Sequence, residues 1–327
     1  MYRRDFLKTA AASSVGLAFG TSAAFSAKSY SNIIGANDRI NMAVMGTNGR
    51  GAGMAQNFAR QNNVVMRYIC DVEDKAITKG IAAIEKAGGN PIVEKDIRKL
   101  LEKKDLDGIL ICAPDHWHAP ATIMACKAGK HVYVEKPCSH NPNEGELMIQ
   151  AARKYNKVVQ VGAQRRSWPV LMQGIKELHE GVIGKVYFAK GWYTNNRGSI
   201  GIGKEVPVPS NLDFELWQGP APRRAYKDNL IHYNWHWFWH WGTGEALNNG
   251  THEIDVIRWG LNVDYPTNVS SEGGRFRFND TGKLPTHRVS TLSLVMTVWL
   301  HGKDAAATQE ILKVETEVLF SMVKMDH

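Results

Sequence analysis

The chain has 327 residues, more than one ordinary domain needs and enough for two. Hydrophobic residues make up 43% and charged residues 22%, which excludes a disordered or fibrous chain. The net charge of +8 is spread without a basic run suited to nucleic acid, no apolar stretch reaches the roughly 18 residues of a membrane span, and four cysteines without a Cys-x-x-Cys pair make no disulfide framework.

Arg3-Arg4-Asp5-Phe6-Leu7-Lys8 precedes a mildly apolar, Ala-rich run from Thr9 to Phe25. The pattern resembles a twin-arginine export signal, with Tyr2 where Ser or Thr is usual. Residues 1–27 are therefore expected to address the protein to the twin-arginine translocation machinery and to a periplasmic or exported location. Cleavage after Ala24 or after Ser26 fits equally. That route carries folded proteins, which suits an enzyme that binds its cofactor before export.

From Arg39 to Gln164 the pattern is strand, turn, helix, repeated. Strands are expected at Ile40–Met45, Val64–Cys70, Gly108–Cys112, His131–Val134 and Val158–Val161. Helices are expected at Ala52–Arg60, Lys75–Ala87, Asp96–Lys103, Ala119–Ala128 and Glu144–Tyr155. Strands alternating with helices of this length imply an α/β fold with a doubly wound parallel sheet, here over residues 28–165. Gly46-Thr47-Asn48-Gly49-Arg50-Gly51 lies between the first strand and the first helix. Gly46 allows a tight turn, small residues let the backbone approach a pyrophosphate, and the helix N-terminus offers free N–H groups to the anion. Asn48 stands where the usual pattern has its second glycine. Asp71 ends the second strand, 25 residues after Gly46. A carboxylate there accepts hydrogen bonds from the adenosine ribose and repels the 2′-phosphate of NADP, so NAD is the expected cofactor.

Together with this turn, Ala113-Pro114, Glu135-Lys136-Pro137 and the run Gly242-Thr243-Gly244…Asn249-Gly250-Thr251-His252 resemble the glucose–fructose oxidoreductase/inositol dehydrogenase (Gfo/Idh/MocA) family. The resemblance extends to about Asp280. It implies a Rossmann domain that holds NAD(P), contacted by Ala113, Pro114, Glu135 and Gln164. It also implies a C-terminal α/β domain (166–280) with an open, mostly antiparallel sheet under a sugar or cyclitol substrate. Homo-oligomers through that sheet are expected of a full-length form. Lys136 matches the family lysine beside the nicotinamide and the substrate hydroxyl. His118 falls where the family has a histidine opening the helix after the Ala-Pro strand, as a cofactor contact or a packing residue. Family dehydrogenases often carry Asp four residues before the motif histidine. Here the histidine is His252 and that position is Asn248, which cannot take a proton. Glu245 and Asp255 are the candidates to compensate.

His232-Tyr233-Asn234-Trp235-His236-Trp237-Phe238-Trp239-His240-Trp241 precedes that motif. In an extended segment, alternate Trp residues would line one face. Indole stacks on sugar C–H faces, and the same residues suit a domain core. Trp235, His236 and His240 are the expected substrate contacts here. Tyr193, Asn196 and Arg197, at the end of a strand expected from Lys185, join them. His232, His236 and His240 have helical metal-ligand spacing, but the family needs no metal and none is expected.

After Asp280 the resemblance stops, and 281–327 reads as an atypical tail. Codons can be chosen so that one restored base near codon 281 gives a family-like continuation, so a frameshifted C-terminus is expected. The functional expectation is hydride transfer between NAD and a sugar or cyclitol carbinol. Two alternatives stay open. One is a hydrolase, lyase or epimerase that keeps its NAD and oxidises only transiently. The other is a sugar-binding or non-functional product.

Overall fold

The computed structural model describes residues 39–191, 197–266, 269, 275 and 278–284. The expected export signal, Tyr193, Asn196 and the tail beyond Leu284 lie outside the described residues. Strands β1 (Ile40–Met45), β2 (Val64–Cys70), β3 (Ile92–Glu94), β4 (Gly108–Ile111), β5 (His131–Val134) and β6 (Val159–Val161) form one sheet in the order β3-β2-β1-β4-β5-β6. All pairings are parallel. The crossovers carry α1 (Arg50–Ala59), α2 (Asp74–Glu85), α3 (Ile97–Leu101), α4 (Asp115–Lys127) and α5 (Pro142–Lys154). The chain winds from β1 to one edge, then returns to the other side of β1 at β4. A crevice therefore opens between the C-terminal ends of β1 and β4, where Met45 is in register with Ile111.

Both faces of the sheet are covered, and alternation along the strands assigns the side chains. Ala43, Met45, Ile109, Ile111, Val132 and Val134 pack with Ala119 and Ala125 of α4. Met42, Val44 and Leu110 face the other way, onto Ala55 of α1 and Ile84 of α2. Burial of each large aliphatic side chain contributes about 2 kcal/mol.

The structure corrects several expectations. β3 was not foreseen, because it is a three-residue edge strand with Ile92 half exposed. α4 starts at Asp115 rather than Ala119 and takes Pro120 inside it. Tertiary bonds hold its first turn, with Trp117 Nε1 donating to Trp217 O at 3.0 Å and His116 Nε2 bonding the same carbonyl at 3.0 Å. Residues 185–191 form no strand, since among the described residues no neighbouring strand pairs with them. The aromatic segment is not extended. Asn234–Trp237 is a 3-10 turn, so alternate Trp residues do not share a face. Trp237 and Trp241 are buried, whereas Trp239 is 61% exposed.

The C-terminal part contributes α6 (Pro169–His179), α7 (Phe214–Gln218), α8 (Gly244–Asn248) and α9 (Gly250–Leu261). Leu212, Phe214, Trp217, Leu230, Phe238 and Trp241 form a third core cluster. Among the described residues, the pairings outside the six strands are the bridges Glu73↔Leu212 and Glu205↔Lys227. Tail residues Thr281 to Leu284 still pack with this part. Lys283 N and Leu284 N donate to Trp237 O, and Leu284 is buried.

Candidate active site

The crevice is a cavity of about 660 Å³. One wall is the glycine turn from Gly46 to Gly51, and all six of its residues line the cavity. Gly46 has φ +84°, a conformation that favours glycine. Gly51 is required by proximity, since a Cβ there would stand 1.7 Å from Gly46 O. Gly51→Ala is therefore expected to destabilise the protein by about 3 kcal/mol. Urea unfolding checks this, and an unchanged midpoint would contradict it. α1 begins at this turn with no side-chain cap bond and no acidic residue in its first turn. Among the described residues no side chain caps these first amides, the arrangement that an anion site requires.

Asp71 lines the cavity from the end of β2. Its carboxylate accepts from Thr47 N at 2.6 Å and Val72 N at 2.7 Å, and from Glu73 N at 3.1 Å. It fastens the glycine turn as well as facing the crevice. Burial raises its pKa above the ordinary carboxylate value, against the lowering by these bonds. Asn48 is not an open position either, because its Oδ1 accepts from Lys79 Nζ at 2.6 Å.

Arg50 reaches from the glycine turn across the end of β4. Its Nε donates to Glu135 Oε1 at 3.0 Å and its Nη2 to Gln164 Oε1 at 3.1 Å. Glu135 Oε2 in turn accepts from Lys136 N at 3.2 Å. These residues, with Ala113 and Pro114, line the cavity as the sequence suggested. His118 also reaches the cavity, but both ring nitrogens are engaged. Nδ1 bonds Pro137 O at 2.5 Å and Nε2 bonds Ala113 O at 2.7 Å. It ties the ends of β4 and β5 together, the packing role that the sequence left open beside a cofactor contact.

Lys136 follows β5, and the Lys136–Pro137 bond is cis. Its Nζ donates to Asn248 O at 2.5 Å and Asn248 Oδ1 at 2.9 Å. Burial lowers its pKa from the usual lysine value, opposed by Asp115, Glu135 and Glu245. The expected helical face from Asn248 to His252 is interrupted, because α8 ends at Asn248 and α9 starts at Gly250. Asn248 lines the cavity and His252 does not. His252 is half-buried beside Lys136. Burial first, then the charges of Lys136 and Arg165, lower its pKa below the ordinary imidazole value.

Neither expected compensating carboxylate is free. Glu245 is held by Arg197 Nε at 2.9 Å and Nη2 at 3.2 Å, and Asn249 Nδ2 also donates to it. Asp255 is held by Arg166 Nε at 2.9 Å and Nη2 at 2.8 Å. Arg165 pairs with Glu253 through two bonds of 2.7 Å, so the two arginines after β6 anchor α9 rather than float in solvent. Arg197 does not line the cavity, being committed to Glu245.

Of the other expected substrate contacts, Trp235 and His236 line the cavity, stacked at 3.6 Å between ring centroids. Burial lowers the His236 pKa. His240 lies away from the cavity and against Trp241, since the 3-10 turn redirects the segment. The three spaced histidines diverge. His232 bonds Glu73 Oε2 at 2.8 Å, and among the described residues no three metal-ligating side chains converge. Wall residues not expected from the sequence include Asp115, Trp217 and Tyr233. Asp115 had a usable signal, a carboxylate directly after the Ala113-Pro114 strand end.

Two family models match in tandem. "Oxidoreductase family, NAD-binding Rossmann fold" matches residues 40–163, and "Oxidoreductase family, C-terminal alpha/beta domain" matches 152–283. The chain belongs to the Gfo/Idh/MocA oxidoreductase family. Curated relatives include a "Glycosyl hydrolase family 109 protein" of Saccharopolyspora erythraea, 26% identical over 252 residues, covering 69% of this chain and 55% of that one. Another of that name from Solibacter usitatus is 31% identical over 150 residues, covering 43% and 34%. The chain thus spans about half or less of the length of these relatives. A crystal structure of the WlbA dehydrogenase from Chromobacterium violaceum, with NADH and UDP-GlcNAcA, has TM-score 0.52 and 20% identity, covering 76% of this chain and 61% of that one. That likeness is one of fold.

Proposed function

We propose that the protein is an NAD-dependent oxidoreductase that moves hydride between the cofactor and a carbinol carbon of a sugar or cyclitol. One observation carries the reading. The glycine-turn crevice runs without a break to a half-buried lysine at a strand end and to the stacked rings of Trp235 and His236. The crevice fits a dinucleotide, with the uncapped α1 N-terminus facing its pyrophosphate and Asp71 its adenosine ribose. Arg50, Glu135 and Gln164 flank the nicotinamide end. When bound, NAD supplies the hydride acceptor.

The chain's own residues handle the proton. The Lys136 ammonium donates to the substrate oxygen and stabilises the alkoxide that develops as hydride leaves. His252, outside the cavity lining and kept neutral by its surroundings, takes the hydroxyl proton through an intervening water. Asn248 fixes Lys136 without competing for that proton. Tyr233, Trp235 and His236 offer ring faces and polar edges to the sugar.

A second reading shares this site and is favoured by the names of the relatives. A transient ketone acidifies the neighbouring C–H, a glycosidic substituent leaves, and the ketone is reduced again, with no net use of NAD. A panel of sugars, cyclitols and aryl glycosides separates the two. Net appearance of reduced nicotinamide supports the oxidoreductase. Aglycone release without it supports the second reading. Nucleotide-free sugar binding would sink both.

The preference for NAD over NADP is part of the proposal and rests on the Asp71 charge. Asp71→Ala is expected to narrow the ratio of NAD to NADP affinity by roughly tenfold. Equal affinities in the parent protein would contradict it. Export by the twin-arginine route rests on Arg3 and Arg4. Replacing both with Lys should leave the protein in the cytoplasm, and undiminished export would refute it. Assembly through the C-terminal sheet and a frameshifted origin of 281–327 are kept as proposals. Light scattering addresses the first, and the sequence of the encoding DNA the second.

A further inference from the structure

Lys136 carries a positive charge into a site from which burial excludes much of the water, so a nearby carboxylate is needed to hold that charge. The residue that bonds it, Asn248, offers only neutral oxygens. Glu245 and Asp255 are each neutralised by a two-point arginine pair. Glu135 is paired with Arg50. Asp115 differs from all three. It is 2% exposed, lines the cavity that Lys136 lines, and begins α4 directly after β4, the strand beside the one that ends at Lys136. Among the described residues no cation bridges it. Its Oδ2 accepts from Thr243 Oγ1 at 2.6 Å. Thr243 stands immediately before α8, and α8 ends at Asn248, the residue that grips Lys136.

We infer that Asp115 is the positioning residue of this site. Through Thr243 it anchors the helix whose last residue holds the Lys136 ammonium, and its carboxylate supplies the countercharge that the neutral Asn248 does not. The role given to Lys136 is that of the proposed function, but the link from Asp115 to Lys136 holds whatever the substrate. Its electrostatic effect runs in the expected direction, since Asp115 is the foremost of the groups that oppose the lowering of the Lys136 pKa by burial. The other charged and titratable groups facing Lys136 are Glu135 and Glu245, which act in the same sense, and Arg50, His236 and His252.

The test titrates Lys136 itself and needs no substrate. Competitive labelling with acetic anhydride across a pH series, read at the Lys136 peptide by mass spectrometry, gives its apparent pKa in the purified protein. Asp115→Asn keeps an acceptor for Thr243 and removes the charge, and is expected to lower that pKa by about one unit or more. Thr243→Val keeps the carboxylate but frees it, and is expected to lower the pKa by less. Asp255→Asn, which removes a carboxylate already held by Arg166, leaves it unchanged. An unaltered Lys136 titration in Asp115→Asn overturns the inference. If that variant does not fold, an unaltered titration in Thr243→Val overturns it. Failure of the oxidoreductase reading would show instead in the sugar panel, with this titration untouched.

Discussion

Lys136→Met is expected to lower turnover by roughly 100-fold or more while leaving NAD affinity nearly unchanged. Methionine keeps the length and much of the apolar stem but removes the charge and all three donors. The two acceptors it deserts, Asn248 O and Oδ1, belong to a residue that lines the cavity, so water can replace the ammonium at modest cost. What is lost is the group that meets alkoxide charge, and that charge exists mainly in the transition state. The expected signature is therefore a fall in the rate constant rather than in saturation. Single-turnover reduction of nicotinamide, with an active sugar from the panel, measures it. A variant that reduces NAD as fast as the parent would move the chemistry away from Lys136.

His252→Asn is expected to cost roughly 100-fold as well, with a dependence on pH that Lys136→Met does not share. A base must be neutral to take a proton. Burial and the neighbouring charges of Lys136 and Arg165 disfavour the imidazolium, so His252 stays neutral to a lower pH than a free imidazole. In the parent, activity should hold as pH falls through about 6.5, the ordinary histidine value, and decline only below it. In the variant that acid limb should vanish, because no imidazole remains to be protonated. The pH dependence of kcat/KM decides. A limb above the ordinary value, or one that persists in His252→Asn, would show that another group takes the proton.

The Rossmann half was legible because its signals are local. Apolar strands with glycine turns at their ends need no distant information, and β1 and β2 fall within the expected bounds. The cofactor walls were legible for the same reason, since the ends of parallel strands are where such sheets bind ligands. What failed was long-range. The extra turn of α4 is held by the carbonyl of Trp217, a hundred residues away, which no propensity can anticipate. The Trp alternation suggested an extended face, but burial of Trp241 against Phe214 and Trp217, and of Trp237 beside Tyr233, took priority and bent the chain. The helical step from Asn248 to His252 was broken at Asn249, whose side chain bonds Glu245. The most telling miss concerns charge. Sequence spacing pointed to Glu245 and Asp255 as substitutes for a missing carboxylate, yet arginines remote in sequence had claimed both. Asp115, not expected in the site from its sequence position, was left facing the cavity.

The central claim, that the crevice between β1 and β4 holds a nicotinamide dinucleotide with its reactive end toward Lys136, is tested most directly by fluorescence. Trp217 and Trp235 both line the crevice and stand ready as energy donors. Titrating the protein with NADH while exciting tryptophan should give saturable, sensitised nicotinamide emission, displaced by NAD and retained in Lys136→Met. Absence of saturable transfer in the folded parent protein would contradict the account at its foundation, since every proton-handling role assigned here presupposes that cofactor.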